Sequence, residues 1–299
     1  MTCSICIATY KRKQLLRNLL KSIYAQNLPQ NITLQIVVVD NDIEKSAEEI
    51  IQEFRSDDKI RLEYHSQPKK NISLTRNVSV KNAQGEYLLF IDDDETADVN
   101  WINEHLKAIK TFEADGVFGR VVPEFPENTP NWIKAGDFFN KKSPPTGELA
   151  TSVATSNCIV KANLLKNEPG PFSPEYGLTG GEDTHLFYKL RKGGAKLISS
   201  REAIVREIIP PDRTRVKWLI KKSYQTGNAS TRRMIEFAET KLIKRIYLLS
   251  KAIIYLIISA FMVIICLPVI GLRIKWLLKI FSNMGHISAS LGFHFSGYK

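Results

Sequence analysis

The chain has 299 residues and a formal net charge of +11. This length suits one large α/β domain with an appendage. The charge is uneven: 25 Lys and Arg stand against 26 Asp and Glu up to Ser199, and 17 against 5 from Ser200 onward. A basic tail fits an anionic partner, either nucleic acid or membrane, and the apolar run inside this tail argues against nucleic acid.

In chain order, residues 4–8 read as a strand, and 14–24 place Leu15, Leu16, Leu19, Leu20 and Ile23 at helical spacing. A second apolar strand, 34–39, ends at Asp40; a short helix at 47–54, a short strand at 60–64 and a helix at 74–83 follow. Gly85 breaks the chain before the apolar strand 87–91, and a helix at 99–112 and a strand at 116–122 come next. Such alternation predicts a mainly parallel sheet with helices on both faces. Residues 123–151, with their prolines and Phe125, Trp132, Phe138 and Phe139, read as a long functional loop over the site, disorder being the alternative. Strand returns at 156–161, Glu182-Asp183 opens a helix running to about Lys192, 203–208 is strand-like, and 215–227 is a basic helix.

Residues 252–272 contain no charge. Their helical length of roughly 31 Å is enough to cross a hydrocarbon core. Lys241, Lys244, Arg245 and Lys251 precede this run, and Arg273, Lys275 and Lys279 follow it. The denser upstream flank, extended by Lys221, Lys222, Arg232 and Arg233, predicts a cytoplasm-facing N-terminal domain on the inner membrane. Pro268 and Gly271 leave a re-entrant or tilted helix as an alternative to a span, a buried soluble helix is the other reading, and Trp276 to Phe281 are expected to lie in the interface as an amphipathic piece. The expected division is 1–230 and 231–299. No signal peptide is expected, since the N-terminus passes directly into a strand. Cys3 and Cys6 form a CxxC, yet residues three apart in a strand face opposite ways, and no second Cys or His pair lies nearby. Reduced, buried thiols are therefore expected for these and for Cys158 and Cys266, rather than zinc.

The chemistry concentrates in two acidic sites. Asp92, Asp93 and Asp94 follow a strand with no alternation, so they emerge at the carboxyl end of a doubly buried strand, where open α/β sheets bind ligands. Crowded carboxylates repel unless a cation sits among them, and hard oxygen donors suit Mg²⁺ or Mn²⁺; a solvated acidic turn is the alternative. Thr179-Gly180-Gly181-Glu182-Asp183 is the second site, read either as a helix cap or as a carboxylate poised as general base. Polar strand ends at Thr9, Tyr10, Arg12 and Asp40 fit base and ribose contacts, and Arg76 fits a phosphate clamp or an ion pair. GxGxxG and the P-loop are absent, which removes the common dinucleotide and P-loop readings.

Together ICIATYKR, VVVDND, NISLTRN, GEYLLFIDDDE, TGGEDTHLFYKL and PPDRTRVKWLIKKSYQTG resemble family-2 glycosyltransferases, in particular the bacterial exopolysaccharide (succinoglycan-type) glucosyltransferase branch, over roughly residues 2–230. The resemblance implies a GT-A fold, a nucleotide-diphosphate sugar donor, Mg²⁺ or Mn²⁺, and inversion at the anomeric carbon. It implies donor contacts at Thr9, Tyr10, Arg12, Asp40, Arg76, Asp92 and Asp93, metal ligands Asp92 and Asp94, and a catalytic base at Asp183 with Glu182 beside it. Two departures stand out. A Q-x-x-R-W motif is missing, which argues for adding one sugar per encounter. Where many relatives carry a His, this chain has Val205-Arg206-Glu207, with Glu207 a candidate substitute; His185 reads as a surface residue. The expectation is a non-processive UDP-sugar (UDP-glucose) transferase acting on a polyprenyl-diphosphate-linked glycan in surface polysaccharide assembly, without nucleic acid. A sugar nucleotidyltransferase and a non-catalytic membrane-bound scaffold are the rivals.

Overall fold

The computed structural model describes residues 1–54, 60–141 and 143–295, and the chain divides into two compact units. The first comprises Met1–Glu124, Asn140–Leu178 and Glu182–Ile208. Its elements are β1 (Thr2–Thr9), α1 (Lys13–Tyr24), β2 (Thr33–Asp40), α2 (Glu48–Phe54), β3 (Ile60–Ser66), α3 (Ile72–Asn82), β4 (Tyr87–Ile91), β5 (Glu95–Ala97), α4 (Trp101–Thr111) and β6 (Gly116–Glu124). In the second unit, α5 (Asn131–Gly136) interrupts the expected loop. The first unit then resumes with β7 (Asn157–Lys161), α6 (Asn163–Lys166), α7 (Glu182–Lys192) and β8 (Leu197–Ile208).

One eight-stranded sheet runs in the order β3-β2-β1-β4-β7-β6-β8-β5. Strands β3, β2, β1 and β4 are parallel, as the alternation predicts. Beyond β4 the sheet is mixed, because β7 pairs antiparallel with both β4 and β6, and β5 antiparallel with β8. Strands β1, β2 and β4 feed two cores, whereas β3 reaches only one. Ile5, Ile7, Ile36, Val38 and Leu89 pack with Leu16, Leu19, Leu20 and Trp101 on one face, while Val37, Val39, Leu88 and Phe90 pack with Phe172, Leu186 and Phe187 on the other. This explains the unbroken apolar runs at 36–39 in β2 and 87–91 in β4. Cys3 and Cys6 fall in opposite cores, and burial raises their thiol pKa values to about 11 and about 12.

The second unit holds Phe125–Phe139, Thr179–Gly181 and Ile209–Lys299. Its helices are α5, α8 (Val216–Glu236), α9 (Lys241–Ile265) and α10 (Ile270–Ser290). The loop aromatics pack within this unit: Phe139 stacks on Trp218 at 6.0 Å, and Trp132 meets Phe138 edge-on at 5.7 Å. Within this unit α8 packs on α10. Two glycines permit that approach: a Cβ at Gly285 would lie 2.1 Å from the Tyr224 carbonyl oxygen, and one at Gly227 would lie 2.1 Å from that of Ser282. The uncharged run 252–272 is not one helix. It is cut between α9 and α10, since Pro268 has no amide hydrogen to give and restricts Leu267 before it.

Candidate active site

The acidic triplet leaves the carboxyl end of β4, beside the carboxyl end of β1. Asp93 is buried; its Oδ2 accepts from Thr9 Oγ1 at 2.8 Å and its Oδ1 from Arg12 Nη1 at 2.7 Å. The same Arg12 nitrogen reaches Asp94 Oδ2 at 3.2 Å. Asp92 takes Arg76 Nη2 on Oδ1 at 3.0 Å, and its amide donates to Glu95 Oε2 at 2.9 Å. Arg76, buried on α3, also donates through Nη1 to Glu182 at the start of α7. One guanidinium therefore joins the two acidic sites.

The shape of α3 follows from its cap and its polar buried face. Asn71 Oδ1 accepts the Leu74 amide at 3.1 Å, the N-cap bond that starts the helix. Its inward side is mostly polar, with Ser73, Thr75, Arg76 and Ser79 beside a single buried Val80. At α7, Gly180 and Gly181 adopt φ of +78° and +92°, a region an L side chain rarely enters, so the turn that delivers Glu182 and Asp183 needs glycine. Asp183 is half-buried, and its Oδ1 accepts from the Thr184 amide at 2.6 Å and hydroxyl at 3.1 Å.

Too many negative charges share this space for the cations present. Burial, offset by Arg76 and reinforced by Asp94 and Asp183, raises the Asp92 pKa, although 39% of its side chain reaches solvent. Burial, offset by Arg12, lifts Asp93 to about 6. Glu95 is pushed well above its ordinary range by burial, then Asp92, with Glu207, its cross-strand partner on β8, adding to the effect. Glu182 rises to about 7 through burial and Asp183, against the pull of Arg76. Among the described residues, no group of three or more His, Cys, Asp or Glu forms a ready metal cage.

The remaining expected residues spread along the strand ends. Thr9 and Asp40 are register partners across β1 and β2. Asp40 is fully buried, and its carboxylate is engaged by the Asp42 amide at 2.9 Å, the Ala47 amide at 2.8 Å and the Tyr64 hydroxyl at 3.2 Å. It holds the turn after β2 and makes no contact with the triplet in these bonds. Tyr10 is exposed, with the Lys11 and Lys70 ammoniums 5.7 and 5.3 Å from its ring centroid. His185 is a correction: it is buried against Tyr176, at 4.6 Å between ring centroids, because it lies on the inward face of α7 with Leu186.

Three features escaped the sequence reading. Lys141 sits in an irregular loop, and its charge acts on Asp92 and Glu95. Lys70 gave no signal beyond a pair of lysines. Asn157, partner of Ile91, receives Trp101 Nε1 at 2.8 Å and donates to the Arg120 and Ala203 carbonyls at 3.0 and 2.9 Å. Beside it opens a shallow cleft, continuous with solvent and lined in part by Arg120, Lys141, Ser143, Ser152, Ser156 and Ser199.

A parallel half-sheet joined to a mixed half, with acids at the end of its central strand, defines a GT-A glycosyltransferase. The chain belongs to glycosyl transferase family 2, whose profile matches residues 4–168. Succinoglycan biosynthesis protein ExoM of Rhizobium meliloti is 30% identical over 96% of this chain and 92% of its own length. Poly(ribitol-phosphate) beta-N-acetylglucosaminyltransferase TarS of Staphylococcus aureus is 27% identical over 56% of this chain and 30% of its own. Among solved structures, the mannosyltransferase PcManGT from Pyrobaculum calidifontis, in complex with GDP-Man and Mn²⁺, has a TM-score of 0.63 at 18% identity over 97% of this chain and 86% of its own. S. aureus TarS 1-349 has a TM-score of 0.57 at 15% identity, covering 99% and 93%. The fold is shared with both, and the enzyme is a glycosyltransferase.

Proposed function

We propose that this glycosyltransferase moves one sugar, with inversion, from a UDP-sugar (UDP-glucose) to a polyprenyl-diphosphate-linked glycan during bacterial exopolysaccharide assembly, at the cytoplasmic face of the inner membrane. The observation that carries this reading is the Arg76 bridge from Asp92 to Glu182, which gathers both acidic sites into one cluster beside the sheet's carboxyl edge. The similarity to a succinoglycan biosynthesis protein along nearly the whole chain supports the pathway, and the UDP and UDP-GlcNAc complexes of TarS support the donor class.

In this reading Asp183 takes the proton of an acceptor hydroxyl whose oxygen bonds to the anomeric carbon, while the bond from that carbon to the diphosphate breaks and UDP leaves with the electron pair. Arg76 and Arg12 hold the acids in place, Tyr10 stacks the base, and Thr9 and Asp40 shape its bed. Asp92 and Asp94 are hard oxygen donors in a cluster with more carboxylates than cations. Mg²⁺ sites of this kind use one or two carboxylates and take substrate phosphates as further ligands, so the lack of a full cage among the described residues fits. When bound, such an ion neutralises charge on the departing diphosphate. The serine-lined cleft with Arg120 and Lys141 is the acceptor side. Residues 1–230 act as the transferase domain and 231–299 as the attachment region.

Asp183→Asn tests the base. Transfer should fall by about 10³-fold or more, with UDP affinity nearly unchanged in calorimetry; unaltered turnover would sink the assignment. A panel of radiolabelled UDP-sugars given to membranes identifies the donor by which label enters the lipid fraction.

A further inference from the structure

We infer that α9 and α10 form a re-entrant hairpin lying in one leaflet of an anionic membrane, and that the chain does not cross it. This rests on the membrane attachment proposed above and specifies its geometry. By overall length and composition α9 qualifies as a span. Its uncharged part, however, covers only residues 252–265. That is about 21 Å of helix against a hydrocarbon core of about 30 Å, the range of interfacial and re-entrant segments.

The partner helix decides the matter. After the turn at 266–269, α10 packs back along α9 and onto α8. Thr231 Oγ1 lies 2.6 Å from His286 Nδ1, and Asn228 Nδ2 donates to the Phe293 carbonyl at 2.8 Å, so the end of α10 is tied to the helix from which the hairpin departs. A crossing α9 would take α10 with it, placing Arg273, Lys275 and Lys279 in hydrocarbon. A hairpin in the plane of the interface avoids this: the cations stay with the headgroups, and α9 turns its apolar surface toward acyl chains.

Two further observations name a lipid as occupant. Ile257, Phe261 and Ile264 on α9 are 65%, 63% and 65% exposed, an apolar surface too large for water contact. From Thr240 to the last residue there is no Asp or Glu, while Lys241, Lys244, Arg245, Lys251, Arg273, Lys275 and Lys279 lie on the two helices. Trp276 lies under the Lys279 ammonium at 3.8 Å, an amphipathic pair suited to headgroup depth.

The test uses full-length protein in right-side-out and inside-out vesicles from expressing bacteria, with Cys266→Ser as background. Val269→Cys marks the turn and Lys107→Cys, an exposed position on α4, marks the side of the N-terminal unit. A membrane-impermeant maleimide should never modify position 269 from the face opposite position 107. Purified protein should float with phosphatidylglycerol vesicles at least tenfold better than with phosphatidylcholine vesicles. Ile257→Glu with Phe261→Glu should abolish flotation while leaving thermal unfolding in detergent unchanged. Labelling of position 269 from the opposite face overturns the hairpin in favour of a span. Loss of flotation replaced by self-association in detergent overturns the lipid in favour of a second copy. None of these readouts involves sugar transfer, so a failed donor assignment leaves the outcome intact, and a chain found wholly in the soluble fraction removes the membrane reading alone.

Discussion

The two units treat the same apolar residues in opposite ways. In the sheet unit, Ile5, Ile36, Val38 and Leu89 have no exposed surface or almost none. In the helical unit, Ile253, Ile254, Ile257 and Ile258 are all exposed. The first pattern is a core closed by a second layer on each face of a sheet. The second is a helix of which only a strip at Leu248, Ala252 and Ser259 is buried. Residue type therefore says that a side chain leaves water, but not whether it leaves for protein or for something else.

Identical substitutions should separate the units most strongly. Ile36→Glu buries an unpaired charge and should cost more than about 4 kcal/mol, enough to prevent folding, whereas Ile257→Glu should change stability by less than about 0.5 kcal/mol in detergent. Chemical denaturation of the two purified variants checks this, and equal losses would break the distinction.

Next in size is a pH effect in the sheet unit. Folding raises Glu182 from the ordinary 4.5 to about 7, so between those values the folded protein binds more protons than the unfolded one. Stability must then fall as pH rises through this window, by up to about 3 kcal/mol, with Asp93, lifted to about 6, adding in the same direction. Melting curves at pH 5 and pH 7.5 should show the decline, and Glu182→Gln should flatten it; an unchanged slope would remove Glu182 as its source. In the helical unit, Gly285→Val forces a side chain into the Tyr224 backbone and should cost about 1–3 kcal/mol, seen as easier proteolysis of the C-terminal helices at unchanged UDP binding. The smallest effect is the cap on α3: Asn71→Ala should cost about 1 kcal/mol and lower the melting temperature by a few degrees.

Much of the sheet was readable because β1, β2 and β4 are mostly apolar and lead into polar residues. The triplet, Glu182-Asp183 and Arg76 were readable as chemistry. Their association was not, since Arg76 and Glu182 are 106 positions apart and meet only through the route of the chain. The mixed half of the sheet was hidden for a similar reason: nothing in residues 157–161 marks the direction of their strand. Asp40 shows the opposite limit. Its position at a strand end was evident, but its three hydrogen bonds depend on how the following turn folds back.

By itself, the sequence determined the apolar strands, the acids at their ends, the glycines before Glu182 and a C-terminal stretch that is apolar and free of acid. These depend on neighbours within a few positions, where sterics, periodicity and hydropathy act. Only the tertiary structure decided that one buried arginine links both acidic sites, that His185 faces inward, and that α10 returns along α9. Those outcomes are contacts between distant segments, and they are settled by packing and charge balance once the chain has closed on itself.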